Sequence, residues 1–119
     1  MTRIFYSAVA LLLLPLAAAW GADAPKGDPT KGRQLYTTIG CSYCHGTAGQ
    51  GGGGRTGGLR LSNMGISYPA FLSQLRQPAN EMPPYVEAAL PEKDAADIYA
   101  FIASLPKPPD VKSVPILNN

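Results

Sequence analysis

The chain has 119 residues, a one-domain length. Lys+Arg 10 against Asp+Glu 8 gives a net charge of +2 without a basic run, so there is no electrostatic footprint for nucleic acid. Hydrophobic residues make up 45%, part of them in the first twenty positions, which leaves a chain near the size at which side chains alone build a marginal core.

The N-terminus reads as an export signal over residues 1–19. Arg3 supplies the positive start, Ile4 to Ala19 is apolar, Pro15 interrupts it, and Ala17-Ala18-Ala19 offers small residues for cleavage. A retained anchor is the competing reading, but the run is shorter than the roughly 20 residues of a span and contains Ser7 and Pro15. No second apolar run follows, so no membrane span is expected after cleavage, and the exported product is expected in the periplasm. Residues 20–27 read as a flexible lead, 28–106 as the folded domain and 107–119 as a proline-rich tail.

A first helix is expected from Pro29, capped by Asp28 and ended by Gly40. Gly32, Leu35, Tyr36 and Ile39 share its apolar face. Gly32 costs about 1 kcal/mol relative to alanine there; either it is merely tolerated or another helix approaches closely.

The helix runs into Cys41-Ser42-Tyr43-Cys44-His45, a C-x-x-C-H pentad that holds every cysteine and the only histidine of the chain. This is the attachment signature of c-type haem: two thioethers from Cys41 and Cys44, and an imidazole from His45 to the iron. A zinc site would need a fourth ligand that no thiolate or imidazole supplies. A thioredoxin-like C-x-x-C would follow a strand, and no strand pattern precedes this one. A thiol-disulfide protein without haem remains the alternative for the cysteine pair. One covalent, largely apolar haem c per chain would complete the small core.

Gly46 to Gly58 contains eight glycines in thirteen residues. The G-x-G-x-x-G within it lacks the strand and helix of a dinucleotide fingerprint, so it reads as an irregular loop beside the haem edge or a surface loop. Leu59-Arg60-Leu61 is expected to pack near the haem, with Arg60 a candidate propionate partner or a solvated surface arginine. A helix is expected between Ile66 and Gln77, capped by Ser67, with Pro69 in its first turn and Pro78 closing it.

A second iron ligand must come from elsewhere, because His45 is the only imidazole. Met82 is favoured over Met64, since Pro83 and Pro84 stiffen the backbone behind its soft, neutral thioether. For either methionine the competing reading is core filler. Val86 to Leu90 suits one turn. Pro91 then opens a last helix, Glu92 to Leu105, with Glu92, Asp94 and Asp97 near its positive end. Ala95, Ile98, Tyr99, Phe101, Ile102 and Leu105 form its apolar stripe. The rest reads as an extended tail.

From Asp28 to Pro106 the chain resembles the small monohaem class I cytochromes c. The resemblance rests on the helix entering the pentad, the Met82-Pro83-Pro84 loop and the final Asp97-Ile98-Tyr99-Ala100-Phe101-Ile102 helix. It implies an all-α fold of three to four short helices around one haem, with the first and last helices crossing at Gly32, Tyr36, Ile98 and Phe101. The Met82-to-Tyr85 run is similar to that of cytochromes serving periplasmic dehydrogenases. The resemblance implies a one-electron carrier, not an enzyme, taking electrons from a donor such as a dehydrogenase to an acceptor cytochrome or oxidase. A five-coordinate haem enzyme or gas sensor is the alternative should Met82 not bind. The family often places a proline after the glycine-rich loop, whose carbonyl accepts the haem histidine's other N–H. Here the stretch is Gly58-Leu59-Arg60-Leu61, in which any carbonyl could take that bond.

Overall fold

The computed structural model describes residues 24–52 and 57–117; the expected signal peptide lies outside the described residues. Four α-helices occur among them, α1 (Pro29–Thr38), α2 (Cys41–His45), α3 (Tyr68–Arg76) and α4 (Glu92–Ser104), and no strand. No helix among the described residues is long and apolar enough to cross a membrane.

Short-range chemistry sets the helix ends. The Asp28 carboxylate accepts from the Thr30 and Lys31 amides at 2.8 and 3.3 Å, while Pro29 sits in the first turn, where a missing N–H costs nothing. Gly40 follows α1 at φ +101°, a left-handed conformation suited to glycine, and turns the chain directly into α2. The Ser67 hydroxyl accepts from the Ala70 amide to open α3. Pro91 offers no side-chain cap to α4; Glu87 does so instead, its Oε1 accepting from the Glu92 amide at 3.0 Å. Helices α3 and α4 are slightly shorter than the sequence pattern suggests. The expected turn at Val86 to Leu90 forms, with both Ala89 and Leu90 amides donating to the Val86 carbonyl.

Helix α1 packs across α4. A β-carbon built on Gly32 would overlap the Asp97 backbone carbonyl, so glycine is what permits this approach. Of the two readings of Gly32, close helix approach is the one observed. Gly27 meets the Ala96 carbonyl in the same way. Tyr36 is fully buried, its ring centroid 5.2 Å from that of Phe101, and its hydroxyl donates to the Gly46 carbonyl at 2.7 Å. That bond ties the helix crossing to the end of the C-x-x-C-H turn.

Asp97, expected near the positive end of α4 with Glu92 and Asp94, is there but buried. It is 1% exposed. Its Oδ1 accepts from the Asp28 amide at 2.8 Å, and its Oδ2 lies 3.3 Å from Lys31 Nζ and 3.4 Å from Lys93 Nζ. These contacts hold its carboxyl below the ordinary aspartate range, the Asp28 N–H contributing most and burial opposing. The residue that caps α1 is thereby fastened to α4.

A second aromatic cluster joins α3 to α4. The Tyr99 ring lies 5.4 Å from Tyr68 and 5.3 Å from Phe71, and its hydroxyl donates to the Ile66 carbonyl at 2.7 Å. Beyond Pro106 the chain is not simply extended: it forms two 3-10 turns, Val111–Ser113 and Pro115–Leu117.

Candidate functional site

Between α2, the end of the glycine-rich loop and the 79–85 segment lies a cleft of about 800 Å³. That volume is within the ~300–1,000 Å³ typical of small-molecule and cofactor sites. Helix α2 contributes Cys41, Cys44 and His45 to its lining, and the segment after α3 contributes Met82, Pro83 and Tyr85.

Cys41 and Cys44 are one helical turn apart, which puts both side chains on one face of α2. Neither is in a disulfide. Burial pushes the Cys41 thiol above its ordinary value, with a smaller opposing effect from the Tyr85 hydroxyl. Redox-active thiols require the reverse shift. Tyr36 and Tyr85 are each pushed up to about 12, by burial first and by the Cys41 sulfur second, so both remain neutral hydroxyls. Among the described residues, no group of three or more His, Cys, Asp or Glu side chains is placed to hold a bare metal ion.

The His45 ring is fixed by the backbone of the loop segment that also lines the cleft. Its Nδ1 is 2.7 Å from the Leu59 carbonyl oxygen. A carbonyl can only accept, so Nδ1 carries the proton and Nε2 keeps a free lone pair. Leu59 takes the place that the resemblance gives to a proline carbonyl. Its position is held by loop bonds on either side: Gly51 N to His45 O at 2.8 Å, Gly52 N to Gly58 O at 3.0 Å and Leu61 N to Gly49 O at 2.8 Å. Gly58 is required here, since a β-carbon would come 2.5 Å from the Cys44 carbonyl oxygen and 2.9 Å from His45 Nδ1.

Met82 is half-buried in the cleft, and Gln74 Nε2 donates to its sulfur at 3.7 Å. Met64 lines a different cavity of about 240 Å³, beside Ile66, Tyr99 and Ile102. The structure thus gathers Cys41, Cys44, His45 and Met82 and leaves Met64 out. Arg60 is exposed and does not line the cleft. The Leu59-Arg60-Leu61 run is split: Leu59 is 78% exposed at the cleft, while Leu61 is buried in the core. Sequence reasoning missed Gln74 and Tyr85. A polar Gln74 inside an apolar helix pattern was the one signal available for the former.

Two thiols a turn apart, one imidazole nitrogen with its tautomer set by the Leu59 carbonyl, and one thioether, all lining a single cleft, are a donor set that fits haem c. The fold and this site define a small monohaem class I c-type cytochrome with covalently bound haem c, a protein of haem-based electron transfer. More particularly, the chain belongs to the family described as cytochrome c oxidase, cbb3-type, subunit III, whose model matches residues 27–102. No curated protein matches the chain.

Proposed function

We propose that Cys41 and Cys44 would hold one haem c through thioethers, that His45 Nε2 and Met82 Sδ would hold its iron, and that the chain is a periplasmic one-electron carrier. When bound, haem c supplies the Fe(III)/Fe(II) couple. The observation that carries this reading is the convergence of His45 and Met82 on one cleft, with His45 already oriented by the Leu59 carbonyl.

The residues act by position. Leu59 O keeps the imidazole in one tautomer and one orientation and raises its basicity toward the iron. The neutral Met82 sulfur favours the reduced state relative to a second nitrogen donor. Were His45 and Met82 both to hold the iron, the protein would leave no place on it for oxygen or peroxide, which suits a carrier rather than an enzyme or sensor. Arg60, exposed beside Leu59 and outside the cleft lining, is proposed as a propionate partner only where a propionate would reach past Leu59 to the surface. Tyr43 and Leu59, both 78% exposed, offer apolar contact for a redox partner near the thioether-forming cysteines. A small, short-lived interface fits such a carrier.

The partners are a dehydrogenase or other donor and a respiratory acceptor, either a cytochrome or an oxidase. The oxidase named in the family's description supports the acceptor side; the similarity of the Met82-to-Tyr85 run to dehydrogenase-linked cytochromes supports the donor side. The export signal read over residues 1–19 supports the compartment.

The test is visible spectroscopy of the exported protein, oxidised and reduced, with and without carbon monoxide. Sharp reduced haem c bands, a ferric methionine–iron band and no carbon monoxide shift are expected. A clear carbon monoxide shift would mean an open sixth position. Absence of covalent haem after expression with a working maturation system would leave Cys41 and Cys44 as a thiol pair.

A further inference from the structure

The segment that carries Met82 makes no helix of its own, yet it is held at several points by the last turn of α3. The Tyr85 amide donates to the Leu75 carbonyl at 2.8 Å. Arg76 donates from Nη1 to the Tyr85 carbonyl at 2.6 Å and from Nη2 to the Leu90 carbonyl at 2.9 Å, and Nη2 also pairs with Glu87 Oε2 at 2.5 Å. The Arg76 side chain is only 21% exposed. One rigid guanidinium fork therefore fastens two carbonyls on either side of Val86, three and eight residues beyond Met82.

We propose that Arg76 is the positioning residue that keeps the Met82 loop closed against α3 and so keeps the cleft shut to outside ligands. This rests on the reading of Met82 as an iron ligand. The geometry suits arginine alone. Its planar fork reaches two carbonyls and a carboxylate at once, whereas a lysine ammonium is a single point on a flexible stem. Pro83 and Pro84 restrict the local backbone, but neither has an amide N–H to bond to α3. The loop is thus tied down at the Tyr85 amide, by Leu75 O, and at the Tyr85 and Leu90 carbonyls, by Arg76, and of these three ties two depend on the one side chain. Losing a hydrogen bond from a charged donor raises the population of the released state by roughly 10- to 100-fold. An exogenous ligand that binds only that state gains apparent affinity by the same factor.

The experiment uses haem-loaded wild type, Arg76→Met, Arg76→Lys and Met82→Ala, with imidazole as the probe of the ferric protein. Wild type should show the methionine–iron band and bind imidazole weakly; Met82→Ala should lose the band. Arg76→Met should bind imidazole about 10- to 100-fold more tightly, with a weakened band while far-UV circular dichroism stays native. Arg76→Lys, the variant surest to fold, should fall between the two. Wild-type imidazole affinity in Arg76→Lys, or in a folded Arg76→Met, would overturn the clamp while leaving Met82 ligation intact. Absence of the methionine band from wild type, or its survival in Met82→Ala, would overturn the ligation reading and the clamp with it.

Discussion

Replacing Gly32 by alanine sets two effects of opposite sign against each other. In an isolated helix the change would stabilise α1 by about 1 kcal/mol. In this fold the new methyl would overlap the Asp97 carbonyl oxygen, far inside the 3.4 Å at which ordinary contact begins. Backbone rather than a side chain stands in the way, so α1 and α4 must separate by about 1.5 Å, the kind of shift that overpacking typically charges at about 1–3 kcal/mol. The same separation stretches the 2.8 Å bond from the Asp28 amide to the Asp97 carboxylate, a charged hydrogen bond of about 1.5–3 kcal/mol. The expected net effect is a loss of about 2–4 kcal/mol from a total that for small domains is about 5–15 kcal/mol. Guanidinium unfolding of the ferric holoprotein, followed by far-UV circular dichroism and Soret absorbance, should show a midpoint lower by roughly 1 M. A variant as stable as wild type, or more stable, would show that helix propensity outweighs the crossing, and the account of the α1–α4 contact would fail.

Further outcomes follow from the site and its supports. Gly58→Ala should displace the His45 ring from Leu59, reducing haem loading and shifting the potential; full loading at the wild-type potential would contradict the close packing at Cys44. Gln74→Leu removes the N–H that draws electron density from the Met82 sulfur. At about 0.5–1 kcal/mol for such a bond, the one-electron potential should fall by roughly 20–40 mV in spectroelectrochemical titration, and a rise would contradict the assignment. Asp97→Asn should cost roughly 1–2 kcal/mol at pH 7 by weakening a charged hydrogen bond. Because the folded Asp97 carboxyl lies below its ordinary value, its contribution is present above the unfolded pKa of about 3.9 and is lost as pH falls through the folded value. Acid unfolding of wild type should therefore show a stability loss below about pH 4 that is smaller in Asp97→Asn; parallel acid profiles would contradict it.

Short-range features of this protein were legible before any fold was known. The C-x-x-C-H pentad carries its chemistry in five adjacent residues. The Asp28 and Ser67 caps, the positions of Pro29 and Pro69 and the stop at Gly40 act within a few residues of themselves, so the sequence around them is sufficient. The preference for Met82 over Met64 also rested on a local constraint, the proline pair behind one sulfur, and it is Met82 that lines the cleft.

Tertiary structure decided what depends on partners far along the chain. Gly32 was ambiguous until α4 lay across it. Asp97 looked like one of three acids at a helix start, yet it is buried against the Asp28 amide, 69 residues away in sequence. The sequence pattern assigned no role to Arg76 or Gln74 of α3, and only the return of the 82–90 segment gives them carbonyls and a sulfur to bond. Leu59 and Leu61 are alike in composition and adjacent in pattern, but one lines the cleft and the other fills the core. Hydrogen bonds and close packing require specific atoms within a few ångströms, and for residues so distant in sequence only the crossing of α1 over α4 and the fold-back onto α3 bring those atoms together.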